Sequence, residues 1–202
     1  LFFLGSINNI NLTEFKLLNI KNVNISGLDE INNIEILAEI KNVNLGNIFF
    51  LNTNQIKNIF ENNSLVETYE VIKLYPATLD IQIKKTKFLG RINKDGKIFL
   101  IGSNGKLIEN QFSNQKLPFI FGSPDINEFL EFKKIITNSK ISYRQIKNLY
   151  YFQSRRWDLE IENNVLLRLP ADDINNSLDL AFEFLKNNDL QNKKTLDLRI
   201  KN

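Results

Sequence analysis

On either side of a single proline the chain keeps a strict two-residue rhythm. Leu79, Ile81 and Ile83 alternate with Asp80, Gln82 and Lys84, which predicts a strand with one face buried and one in water. Val66, Val71 and Leu74 lead into Tyr75-Pro76 as a preceding extended run. Pro76 has no N–H to give a ladder, so it belongs at the turn between the two strands. Upstream, Leu18, Ile20, Val23 and Ile25 read as a first strand, irregular near Asn22 and closed by Gly27. Ile31, Ile34, Leu37 and Ala38 recur at helical spacing and predict a helix over 31–42. Asn52-Thr53 offers an N-cap for a second helix carrying Ile56, Ile59 and Phe60 on one side. The order strand, helix, helix, strand, strand predicts a compact α+β module with both helices on one face of a three-stranded sheet.

Near Asn93 the pattern changes from helix-bearing to hairpin-bearing. Lys94-Asp95-Gly96-Lys97 and Ser103-Asn104-Gly105-Lys106 are tight-turn sequences flanking the apolar run Ile98–Ile101. Leu117-Pro118 and Gly122 read as a connection, and Ser123-Pro124 as the cap and first turn of a helix with Ile126, Phe129, Leu130, Lys133 and Ile136. Trp157, Leu159 and Ile161 alternate on one strand, Asn163-Asn164 turns, and Val165, Leu167 and Leu169 alternate on the next. A last helix, begun near Asp173, carries Leu178, Ala181, Phe182 and Leu185, and a final strand spans Thr195–Ile200. This second module is predicted to be antiparallel β with flanking helices.

Composition narrows the chemistry. The 202 residues, 43% of them hydrophobic, suffice for one large domain or two small ones without covalent staples. Cysteine is absent, which fits either redox compartment. Histidine is absent as well, which argues against zinc, haem and iron–sulfur ligation, cysteine nucleophiles and histidine-based triads. The net charge of +3 is spread without a long like-charged block and reads as solubility rather than nucleic-acid binding. No methionine occurs, and the sequence opens on Leu1-Phe2-Phe3-Leu4-Gly5, an apolar stub. That stub fits the exit end of a membrane helix or an ordinary apolar strand or turn. The sequons Asn11-Leu12-Thr13 and Asn24-Ile25-Ser26 read as chance matches in an Asn-rich chain.

Few residues carry reactive chemistry. Asp158, Glu160 and Glu162 line the outward side of the Trp157 strand and read as a solvated face, not an acid–base or cation site. Asp172 and Asp173 read as helix capping. The two Gly- and Lys-containing turns lack Walker spacing and precede strands. Trp157 beside Arg155 and Arg156 is better explained as a core residue than as a base-stacking platform.

Taken in order, Val23-Asn24-Ile25-Ser26-Gly27, Gly46-Asn47-Ile48-Phe49 and Tyr75-Pro76-Ala77-Thr78-Leu79-Asp80-Ile81 resemble a POTRA module of the FtsQ/DivIB type. Asp95-Gly96, Leu117-Pro118 followed by Gly122, Arg156-Trp157 with Leu159, and Leu196-Asp197-Leu198-Arg199 are similar to the β domain that follows POTRA in that family. The resemblance spans about residues 14 to 201. It implies an α+β chain of three parts: a membrane or juxtamembrane stub at 1–13, a POTRA domain at 14–92 and a β domain at 93–202. It further implies a non-enzymatic, cofactor-free division scaffold, single-pass in the bacterial inner membrane, with its bulk periplasmic at the septum. The implied partners are FtsB and FtsL at the C-terminal edge strand, with other divisome membrane proteins at POTRA. The residues carried over for partner binding are Arg155, Arg156, Thr195, Leu196, Leu198, Arg199 and Ile200. A different reading is a POTRA chaperone or secretion module preceding an outer-membrane barrel. The chain also departs from the family pattern: Lys85 and Phe88-Leu89-Gly90 replace Glu and Pro-x-Ala, Ile200 replaces a frequent aromatic, and Asn164 stands where the family has Gly.

Overall fold

The computed structural model describes residues 18–109, 116–187 and 194–199. It divides into two compact units, residues 1–86 and 87–202. The division falls before Lys87 rather than after Ile92, because the strand at Phe88–Lys94 pairs within the second sheet.

The first unit contains β1 (Asn22–Ser26), α1 (Glu30–Lys41), α2 (Thr53–Asn62), β2 (Val66–Leu74) and β3 (Thr78–Lys85). β3 lies centrally, parallel to β1 and antiparallel to β2. Its alternation is realised: Leu79 and Ile81 are wholly buried and Ile83 nearly so, while Gln82 and Lys84 are exposed. The core is completed by Ile36 and Ile40 of α1, Ile48, and Ile56 and Phe60 of α2. Asn52 caps α2 as expected, accepting from the Asn54 N–H at 3.0 Å. α1 presents a different face than its spacing predicts. Ile31 and Ile34 are 70% and 58% exposed, because this helix is apolar on two sides and the sheet takes Ile36 and Ile40.

The second unit holds β4 (Phe88–Lys94), β5 (Lys97–Gly102), β6 (Leu107–Glu109), β7 (Phe119–Phe121), α3 (Ile126–Asn138), β8 (Ile146–Tyr151), β9 (Trp157–Ile161), β10 (Val165–Arg168), α4 (Ile174–Lys186) and β11 (Thr195–Asp197). They form one eight-stranded sheet in the order β11-β10-β9-β8-β7-β4-β5-β6. The hairpins are antiparallel, but β4–β7, β7–β8 and β10–β11 pair in parallel, so the sheet is mixed. β7 occupies the segment read as a connection, and β8 precedes the Trp157 strand. α3 starts two residues later than its sequence signal: Asp125 caps it and forms a reciprocal box with Glu128. Phe129, Phe132 and Ile136 of α3 and Leu178 and Ala181 of α4 bury against Ile101, Ile120, Leu149, Leu159 and Leu167. Trp157 stacks on Phe132 at 4.6 Å, a core residue as expected. Gly122, at φ +90°, passes so close to β8 that a Cβ would meet the Tyr151 carbonyl oxygen at 2.4 Å. Among the described residues no helix is long and apolar enough to cross a membrane.

Candidate functional site

The site expected at the C-terminus is built by β11, which lies at one edge of the eight-stranded sheet. Its alternation fixes which way each side chain goes: Leu196 and Leu198 pack on the core, whereas Thr195 and Arg199 are exposed and Asp197 is half-buried. The same alternation fixes the backbone. The Lys194 carbonyl accepts from the Leu166 N–H and the Leu198 N–H donates to the Arg168 carbonyl, both at 2.9 Å. In a parallel ladder the even residues therefore turn their amides to β10, and Thr195 and Asp197 turn theirs to the opposite side. Among the described residues no strand pairs with that side.

Charge is arranged in a row across this end of the sheet. Asp158 of β9 pairs with Arg168 of β10, which pairs with Asp197 of β11. Arg199 donates from Nε to Asp197 Oδ1 at 2.7 Å and makes a second, shorter bond from Nη2 to Oδ2. That fork, followed by lesser help from the Arg199 backbone N–H and from Arg168, holds the Asp197 carboxyl down at about 2. Asp158 is 3% exposed, a correction to the solvated strand face the alternation predicts. β8 and β10 flank it on both sides, and Arg156 lies across it with Nε 3.3 Å from Oδ1. Neither of those two atoms makes a directed hydrogen bond. Burial pushes the Asp158 carboxyl up, against the pull of Arg156, Arg168 and Arg199. Glu160 is likewise engaged, accepting from Asn148 Nδ2 and the Tyr150 hydroxyl at 2.8 Å each, and only Glu162 is exposed.

The expected arginines separate into two groups. Arg156 and Arg199 both act on Asp158, and the Arg156 guanidinium covers the Phe152 ring at 4.2 Å. Arg155 sits at φ +60° in the β8–β9 turn and grips Glu128 at 2.6 and 2.7 Å, where the Tyr151 hydroxyl also donates at 2.7 Å. It thus ties the turn to the capping box of α3. Ile200 lies outside the described residues. Sequence reasoning missed Asp197 and Arg168 as members of the row, because only strand register brings them opposite one another. It also missed Phe119, Phe121 and Tyr150, an aromatic strip in which Phe121 stacks on Tyr150 at 5.0 Å. The Phe-Ile-Phe spacing was the available signal. Among the described residues no group of three or more acidic side chains is placed to hold a metal ion. What the edge can do is pair a backbone and sort it by charge.

Two family descriptions match successive parts of the chain: "POTRA domain, FtsQ-type" over residues 18–85 and "Cell division protein FtsQ/DivIB, C-terminal" over residues 90–199. A cell division protein FtsQ of Rickettsia bellii is 27% identical over 197 residues, covering 91% of this chain and 70% of that protein. An FtsQ of Bradyrhizobium diazoefficiens is 24% identical over 161 residues, covering 79% of this chain and 47% of that protein. Against the rhizobial relatives, then, the chain spans about half of their length. The extracytoplasmic domain of DivIB from Geobacillus stearothermophilus is similar at a TM-score of 0.38 and 11% identity, over 52% of this chain and 97% of that one. With a POTRA match on the first unit and an FtsQ/DivIB match on more than half of the whole chain, the protein belongs to the FtsQ/DivIB family of cell division proteins.

Proposed function

We propose that the chain is a non-enzymatic scaffold of the divisome, held by a single membrane span with both units in the periplasm at the septum. Its second unit binds FtsB, and through it FtsL, by adding a strand of FtsB to β11. What supports the reading is the terminal strand itself, an edge whose Thr195 and Asp197 amides have no strand beside them among the described residues. Main-chain bonds supply affinity there and side chains choose register. Arg199 is the selecting residue. Because Asp197 already holds it, a partner carboxylate must share or take over that fork. Arg156 lies across the Asp158 end of the row, and Arg155 serves the α3 cap.

The test is the affinity of the FtsB extracytoplasmic segment, measured with thermal melting for the native chain, Arg199→Glu and Arg155→Ala. Arg199→Glu sets like charges against the partner's acid and is expected to weaken binding by roughly tenfold or more with little change in melting. Arg155→Ala is expected to leave affinity unchanged. Unchanged affinity and an intact melt for Arg199→Glu would refute the role given to this arginine.

A further inference from the structure

Within the first unit, one end is apolar at its tip and edged by lysines. Phe49 and Phe50 are 55% and 58% exposed, and Leu74 and Tyr75 are 47% and 57% exposed. Phe49 and Tyr75 meet with ring centroids 4.9 Å apart, so the loop after α1 and the β2–β3 turn form one patch. Exposed clusters of this kind mark interaction surfaces. The same end is where the chain enters the unit. The Ile20 N–H donates to the Gly46 carbonyl at 3.0 Å, the Lys21 N–H donates to the Ala77 carbonyl at 2.8 Å, and Asn19 bridges Asn47. Each anchoring residue is within three positions of a patch residue. The residues that build this end, 19–23, 40–51 and 73–78, hold Lys21, Lys41 and Lys73 and no Asp or Glu; carboxylates begin one step inward with Glu39, Glu70 and Asp80, the last opposite Asn24 and Ile72. Lys21 and Lys41 line one concavity beside Asn19 and Gly46, and among the described residues none of the three lysines has a carboxylate partner.

We propose that this end is a membrane-contacting tip: Phe49, Phe50, Leu74 and Tyr75 sink into the interface of an anionic bilayer while the lysines meet its phosphates. The proposal rests on the reading that the chain is anchored in a membrane on its N-terminal side. Aromatic rings with a polar neighbourhood partition to the headgroup level, and basic side chains at that depth add attraction to anionic lipid. Residues 5–17 separate the apolar Leu1–Leu4 stub from Leu18, at most about 45 Å when extended. A tether of that length keeps the tip near the surface at high effective concentration, so a weak patch suffices. Contact at the tip would restrain how the POTRA unit stands on the membrane.

The whole chain is tested on vesicles of equal parts phosphatidylethanolamine and phosphatidylglycerol, tethered to a nickel-chelating lipid by an N-terminal histidine tag. The tag is a unique handle in a chain without histidine. Tyr75→Trp supplies the probe, since the one native indole, Trp157, is buried. Bromine-labelled acyl chains are expected to quench the introduced indole. Phe49→Ser with Phe50→Ser is expected to lower that quenching roughly tenfold at unchanged far-ultraviolet dichroism. Lys21→Gln with Lys73→Gln is expected to lower it on anionic vesicles only. No quenching in the folded, tethered chain overturns the proposal, as does quenching that survives the Phe substitutions. Sedimentation velocity supplies a third overturning result: the Phe substitutions dissolve a dimer of this chain and leave quenching unaltered. Untethered co-sedimentation of the chain with and without Phe2→Ser and Phe3→Ser reports on the stub alone. Failure of the anchoring reading is therefore seen separately from failure of the tip.

Discussion

Asp197 and Arg199 set the electrostatics of the edge, and their coupling has a definite sign in pH. The fork from Arg199 depresses the Asp197 carboxyl from its ordinary 3.8 to about 2. A depressed acid stabilises the native state above its unfolded value, and that stabilisation is lost as pH falls from 3.8 toward about 2. Arg199→Gln is expected to return the Asp197 midpoint toward 3.8, read by carboxyl carbon NMR across an acid titration. A midpoint left at about 2 would mean that Arg168, 3.8 Å away, holds the carboxylate instead. Asp158 shows where residue-level reading of the sequence runs out. Alternation correctly separates it from Trp157 and Leu159, yet which outward positions reach water depends on what neighbouring strands lay over them. Arg156, next but one along the chain, covers it. In the turn after β9, Asn163 and Asn164 sit at φ +71° and +58°, a left-handed geometry that Asn accepts more readily than most residues.

At the level of elements, long segments with their own punctuation were legible and short central ones were not. α2, the β2–β3 pair and the β9–β10 hairpin follow directly from capping, proline and period-two signals. β7 is three residues between Pro118 and Gly122, too short to establish a period, although it joins β4 to β8 in the middle of the sheet. The parallel docking of β11 on β10 also has no local signal, since α4 must first carry the chain back along the sheet. That docking yields a test of the edge. Thr195→Pro removes an N–H that turns away from β10, at the first residue of the strand, where proline is tolerated. Leu196→Pro removes one that turns toward β10. The first is expected to weaken FtsB binding with a small change in the urea midpoint, the second to lower the midpoint outright. Equal unfolding by both would show that β11 is held on both sides.

Over the whole molecule the two cores share no buried residue, so damage to one should stay there. Ile81 is fully buried at the centre of β3, and Ile81→Ala is expected to cost the first unit about 2–5 kcal/mol in urea unfolding. Affinity of the second unit for FtsB is expected to persist in that variant, and its loss would mean that the edge depends on POTRA. The two-module order was legible because patterning changes along the chain, while the boundary moved to Thr86–Lys87 because β4 extends through the change. The most direct measurement for the account as a whole is amide hydrogen exchange of the chain with and without the FtsB extracytoplasmic segment. New protection is expected at the Thr195 and Asp197 amides, with the inward Leu196 amide already slow in the free chain. Protection confined to α1, α2 or the POTRA sheet, with Thr195 and Asp197 exchanging as before, would contradict it.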